Sequence, residues 1–145
     1  ADENLADRAV LVGDVMVDVC LQVRDRVLGS ALAEDGLPVS LDRDAPYVVA
    51  TLHRPDNTDD RDRLDAILAA LGDLPVQVAL LAHPRLLAKA EHHGIALERG
   101  AIRVGRPLAY AAMVSAVLGS TGVVTDSGGL QKEAFLLGRS HVPMR

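Results

Sequence analysis

Cysteine occurs once in this chain, at position 20, and tryptophan not at all. A lone Cys20 excludes an internal disulfide and a cysteine-based metal cluster, and it suits a reducing compartment, so the cytoplasm is the expected location. Aromatic residues amount to 2% of the chain, which demands an aliphatic core and argues against stacking of successive bases on aromatic platforms. Although 49% of the residues are hydrophobic, no apolar run approaches the ~18 residues of a membrane span, so a soluble protein with no membrane partner is expected. The net charge is −5 with no long basic block, which speaks against nucleic acid as a partner. The acidic first residues lack the basic start and apolar stretch of a signal peptide.

Several site patterns are absent as well. No HExxH and no His or carboxylate cluster with ligand spacing is present, so no metal site is expected. GxxxxGK[ST] is missing, as is GxGxxG after a first strand, which removes support for a P-loop nucleotidase and for dinucleotide binding. Ser127 does not sit in G-x-S-x-G, and no base accompanies it in the way a nucleophilic serine needs.

What the chain does have is alternation. Short aliphatic runs at residues 9–12, 47–52, 76–81, 101–104, 122–125 and 141–144 read as strands, and continuous apolarity over such lengths is the mark of strands buried on both faces of a parallel sheet. Helical stretches fall between them, at residues 14–28, 60–71, 84–93, 107–118 and 127–137. Pro84 and Pro107 suit first-turn positions, while Gly72, Gly94, Gly119 and Gly138 suit C-caps. Residues 29–46, rich in Gly, Ser, Pro and acids, read as a surface loop. The length fits a single α/β domain with a Rossmann-like open parallel sheet flanked by helices.

In such a sheet, ligands bind beyond the carboxyl ends of the strands. Three polar segments belong at that edge: His53-Arg54-Pro55-Asp56-Asn57, His83-Pro84-Arg85, and Asp126-Ser127-Gly128-Gly129. The last leads from a strand into a helix through two glycines, and bare backbone N–H groups at a helix N-terminus form an anion site. Its plain alternative is a tight turn, with Ser127 as N-cap and glycines supplying positive φ. Arg54 can hold a phosphate through parallel N–H bonds, and His53 can donate to phosphate or transfer a proton. Asn57, Asp59 or Asp60 can equally cap the next helix, and His83 before Pro84 has an equally plain structural use. Asp126 can act as a base or organise its loop. Glu133, further along the last helix, can accept from ribose hydroxyls.

Two of these stretches carry a family resemblance. Tyr47-Val-Val-Ala-Thr-Leu-His53-Arg54-Pro55-Asp56-Asn57 is similar to the strand and H-R-P/R-E-N loop of the non-hydrolysing UDP-N-acetylglucosamine 2-epimerases, and residues 123–138 resemble their T-D-S-G-G-x-Q-x-E-A-x-x-L-G signature. Weaker echoes are Glu3-Asn4-Leu5, Val12 to Asp18, His83-Pro84-Arg85 and Arg106-Pro107-Leu108-Ala109-Tyr110. The resemblance implies the C-terminal half of a GT-B fold, incomplete at both ends, and an isomerase of cell-surface polysaccharide biosynthesis. The reaction it implies inverts C2 of a UDP-linked N-acetylhexosamine by elimination and re-addition of UDP, with no cofactor and no metal. By position, Ser127, Gly128 and Gly129 face the diphosphate, Glu133 holds the ribose, and His53 and Arg54 lie by the phosphates, His53 as the catalytic candidate. Arg54 and His83 also match positions associated with an allosteric second substrate molecule.

The implied partners are UDP-N-acetylglucosamine or UDP, a missing N-terminal domain or subunit that supplies carboxylates for the C2 proton, and a second copy in a homodimer. Asp14, Asp56, Arg106, Met113 and Arg139-Ser140-His141 depart from the family pattern. Two alternatives stay open: the donor domain of a UDP-sugar-dependent GT-B glycosyltransferase, and a non-catalytic nucleotide-sugar binding module.

Overall fold

A computed structural model describes residue 10 and residues 12–29 and 36–144. Five strands form one parallel sheet: β1 (Tyr47–Thr51), β2 (Gln77–Leu81), β3 (Ile102–Gly105), β4 (Gly122–Thr125) and β5 (Ser140–Pro143), in the spatial order β3-β2-β1-β4-β5. The helices are α1 (Val15–Leu28), the short α2 (Pro55–Thr58), α3 (Arg61–Gly72), α4 (Pro84–His93), α5 (Tyr110–Gly119) and α6 (Gly128–Leu136).

The strand order reverses beside β1, and that reversal sorts the helices onto two faces. On one face, Ala50, Val78 and Leu80 pack with Leu64, Leu68 and Leu71 of α3 and Leu86 and Ala90 of α4. On the other, Val49, Ala79, Leu81 and Val123 pack with Cys20 of α1, Val114 and Val117 of α5, and Leu130 and Ala134 of α6. Successive residues of β1 and β2 therefore feed opposite cores, which is why their sequences are aliphatic throughout rather than alternating. The architecture is the expected α/β doubly wound sheet, and its switch point lies between β1 and β4, paired in register from Val48↔Gly122 to Thr51↔Thr125.

Several local expectations need correction. No strand forms at Val10 and Val12, which are exposed; residues 9 and 11 of that run lie outside the described residues, as do Glu3-Asn4-Leu5. The helix expected from Pro107 starts at Tyr110, because Pro107 and Leu108 stay outside it and line a cavity instead. Within the expected surface loop, Leu37 and Leu41 are buried and join the α1 side of the core, while residues 30–35 are outside the described set.

Gly94 and Gly138 do adopt left-handed φ after α4 and α6, at 65° and 69°. Gly72 and Gly119 do not; each is the last residue of its helix, followed by Asp73 and Ser120 as caps. Gly119 is small for a packing reason. A Cβ there would sit 2.7 Å from the Tyr47 hydroxyl, which is buried and donates to the Ala116 carbonyl at 2.9 Å.

Candidate nucleotide site at the sheet switch point

Asp126 follows β4 directly and is 1% exposed. Its carboxylate accepts from the backbone N–H groups of His53 and Arg54 at 3.0 and 2.8 Å, and from Asn57 Nδ2 at 3.2 Å. His53 Nδ1 completes the set, 2.8 Å from Asp126 Oδ1. One acid after β4 thus holds the turn that leads from β1 into α2, and these donors replace the water its buried oxygens would otherwise need. Asp126 is an organiser of both loops. With Nδ1–H donated to it, His53 has Nε2 left to meet a ligand.

Asn57 is buried and ties in two further elements. Its Oδ1 accepts from Arg63 Nε at 3.0 Å, and its Nδ2 also reaches the Met144 carbonyl at 3.4 Å. Asp60, as expected of one of the three candidate residues, caps α3 by accepting from the Arg63 N–H at 2.8 Å. Asp59 pairs instead with Lys89 and Arg85 of α4, and a hydrogen bond from Lys89 is the largest cause holding its carboxyl below the usual range.

His83 is structural and site-facing at once. Its Nδ1 accepts from the Arg85 N–H at 3.2 Å as the N-cap of α4, and its ring lies 6.2 Å from that of His53. The capping bond fixes the tautomer, leaving Nε2–H outward.

At the start of α6, Ser127 is the N-cap, its Oγ accepting from the Leu130 N–H at 3.3 Å. The Gly128 and Gly129 N–H groups have no acceptor among the described residues. Neither glycine has positive φ, so the tight-turn explanation fails for both. A Cβ on Gly128 would meet nothing within 4 Å, and one on Gly129 would meet the flexible end of Met16 at 3.3 Å and, in ordinary contact, Ser127 Oγ at 3.8 Å. Nothing in the folded chain demands bare backbone here, which leaves room for an external group as the reason.

His53, His83, Ser127, Gly129 and Glu133 line one cavity of ≈ 480 Å3, closed by Leu81, Pro107, Leu108, Tyr110 and Met113. Three of the segments expected at the strand ends therefore converge. Arg54 and Gly128 stand exposed outside the lining, and the Arg54 guanidinium has no partner among the described residues. Glu133 Oε1 accepts from the Tyr110 hydroxyl at 2.9 Å. Burial first, then that bond, push the Tyr110 phenol well above its ordinary value.

Sequence reasoning missed the apolar wall and the Tyr110–Glu133 bond, since the partners are far apart in the chain. The recurrence of polar residues after aliphatic strands was the available signal. Asp14, a departure from the family pattern, caps α1 through the Met16 N–H at 3.0 Å and pairs with Lys132 of α6. Among the described residues there is no group of three or more potential metal ligands, and no helix long and apolar enough to cross a membrane.

A family model described as UDP-N-acetylglucosamine 2-epimerase matches residues 1–145. The chain belongs to that family. A Pseudomonas aeruginosa relative, UDP-2,3-diacetamido-2,3-dideoxy-D-glucuronate 2-epimerase, is 39% identical over 99% of this chain but only 38% of its own length. A Methanococcus maripaludis UDP-N-acetylglucosamine 2-epimerase homolog is 29% identical over 94% of the chain and 40% of its own length. The chain thus spans about two fifths of the curated relatives it matches. Among solved structures, Methanocaldococcus jannaschii UDP-GlcNAc 2-epimerase in complex with UDP-GlcNAc and UDP superposes with a TM-score of 0.75, at 23% identity, over 96% of this chain and 40% of that one. The epimerase from Neisseria meningitidis bound to UDP-GlcNAc gives 0.69 at 17% identity, over 99% of this chain and 40% of that one. The fold is that of the corresponding part of these GT-B epimerases.

Proposed function

We propose that this chain is the UDP-gripping portion of an enzyme that interconverts UDP-N-acetylglucosamine and its C2 epimer. The observation that carries the reading is the pair of glycine N–H groups, unpaired among the described residues and at positions where no close backbone contact requires glycine, beside the His53–Asp126 pair, at the switch point of a sheet from this family. In the reaction, a base removes the C2 proton while the C1–O bond breaks, giving a glycal and UDP; re-addition of UDP at C1 and protonation of C2 from the opposite face complete the inversion. Charge builds on the departing diphosphate. The Gly128 and Gly129 N–H groups and the Ser127 hydroxyl receive it, preoriented donors being the most effective electrostatic aid. Arg54 supplies a cation with no other partner among the described residues, and His53, its ring held through Nδ1 by Asp126, lies by the phosphates. Glu133 takes the ribose, and the apolar wall of Leu81, Pro107, Leu108 and Met113 receives the uracil.

The carboxylates that handle the C2 proton belong to the rest of the enzyme, as a further domain or subunit. Among the described residues that line this cavity only Glu133 is a carboxylate, and Glu133 is assigned to ribose. The lone buried Cys20 fits a cytoplasmic enzyme. Solvent deuterium incorporation at C2 by the enzyme containing this chain tests the reading. UDP release that depends on a sugar acceptor, without exchange at C2, overturns it in favour of glycosyl transfer.

A second reading concerns the sugar. The 39% identical relative is named for UDP-2,3-diacetamido-2,3-dideoxy-D-glucuronate, which favours a substrate carrying a C3 acetamido group and a C6 carboxylate. Competition between that nucleotide sugar and UDP-N-acetylglucosamine for turnover decides between them.

A further inference from the structure

Glu133 stands on α6 and Tyr110 begins α5, helices joined here by a bond from the Tyr110 hydroxyl to Glu133 Oε1 at 2.9 Å. Both residues line the main cavity and also a second hollow of ≈ 260 Å3 bounded by Val15, Met16 and Val19 of α1. The pair is therefore the partition between the two spaces. A glutamate side chain alone has three rotatable bonds and could turn its carboxylate into either. We propose that Tyr110 is a positioning residue of the nucleotide site, its hydroxyl fixing the Glu133 carboxylate so that Oε2 is presented to the ribose hydroxyls. The proposal rests on the ribose role given to Glu133 above.

Three observations support it. An ionised carboxylate only accepts, so a donor on Oε1 leaves Oε2 as the atom that a ribose hydroxyl can address. No other side chain among the described residues bonds Glu133, so this is the bond that directs its carboxylate. Burial raises both Tyr110 and the adjacent Cys20 thiol above their ordinary values, which keeps the phenol a proton donor in the working pH range. Holding two helices together is a poor alternative purpose. Tyr110 remains 38% exposed, and a solvent-accessible hydrogen bond adds little to stability.

The test compares binding of UDP and of 2′,3′-dideoxy-UDP by calorimetry for the wild-type chain, Tyr110→Phe and Glu133→Ala, with circular dichroism confirming that each is folded. Wild type is expected to prefer UDP by roughly tenfold or more, the worth of about one charge-assisted hydrogen bond. Glu133→Ala should abolish that preference. Tyr110→Phe should reduce it severalfold while leaving dideoxy-UDP affinity unchanged. Full preference in Tyr110→Phe, with loss in Glu133→Ala, overturns the positioning role and leaves the ribose role standing. Equal weakening of both ligands in Tyr110→Phe also overturns it, as a general packing effect. Full preference in Glu133→Ala overturns the ribose role and the inference together.

Discussion

His53 Nδ1 lies 2.8 Å from Asp126 Oδ1, and the same carboxylate accepts the N–H groups of His53 and Arg54. Two strands adjacent in space but distant in sequence are thereby locked at their carboxyl ends, where the ligand cavity opens. Asp126→Asn replaces one acceptor oxygen by a donor that must face other donors. It should cost about 3 kcal/mol of stability in urea unfolding, as expected for a buried charged acceptor. In the complete enzyme, turnover should drop by roughly 100-fold or more through loss of the correct His53 tautomer.

Gly128→Ala separates a turn from a site. Because the added methyl group meets nothing in the folded chain, stability should stay level or rise by up to about 1 kcal/mol, as alanine favours helix over glycine. UDP affinity should fall at least about tenfold, as the approach of phosphate to the N–H groups is obstructed. Parallel thermal melts and UDP titrations check both halves.

Arg54 is exposed and its guanidinium is unpaired among the described residues. Arg54→Ala should therefore change stability by no more than about 0.5 kcal/mol, while lowering UDP affinity by roughly 10- to 100-fold, the range of a charge-assisted bond to phosphate. The salt dependence of UDP binding should weaken in the same variant.

The path from sequence to structure was clearest where a signal was local. Aliphatic runs located all five strands of the sheet, and Asp60, Ser127 and Pro84 marked helix starts within a residue. It was least clear where a long-range partner decides. Residues 55–58 form a short helix whose leading turn is held by the carboxylate of Asp126, which accepts the Arg54 N–H from 72 positions away. By sequence Pro107 suits a helix start, but Pro107 and Leu108 serve as cavity wall. Gly119 suits a C-cap, but it makes way for the Tyr47 hydroxyl. The Ser127–Glu133 region was readable as an anion site, whereas its link to Tyr110 joins side chains 23 positions apart.

That Gly119 packing gives a test of the core independent of any ligand. Gly119→Ala places a methyl group 2.7 Å from a buried hydroxyl and should cost about 1–3 kcal/mol as overpacking. A lowered urea midpoint at unchanged slope is the expected signature.

Tyr110 supplies the pH dependence. Burial, then donation to Glu133, raise its folded value above 10.0. A raised acid binds its proton more tightly when folded, so the stability it contributes is fully present below the unfolded value of about 10 and is lost as pH rises through the folded value. Tyrosinate absorbance in wild type minus Tyr110→Phe should stay absent near pH ~10 in the native protein and appear there in urea. An ordinary titration in the native protein would contradict the partly covered, Glu133-bonded phenol.

At the β1–β4 switch point, the role proposed for the cavity is to grip a diphosphate as well as a nucleoside. Calorimetric titration of UDP and of uridine into this chain tests it most directly. Saturable UDP binding is expected, with uridine at least about tenfold weaker and the difference largely erased in Arg54→Ala combined with Gly128→Ala. Absence of UDP binding by the folded chain, or equal affinity for UDP and uridine, would contradict it.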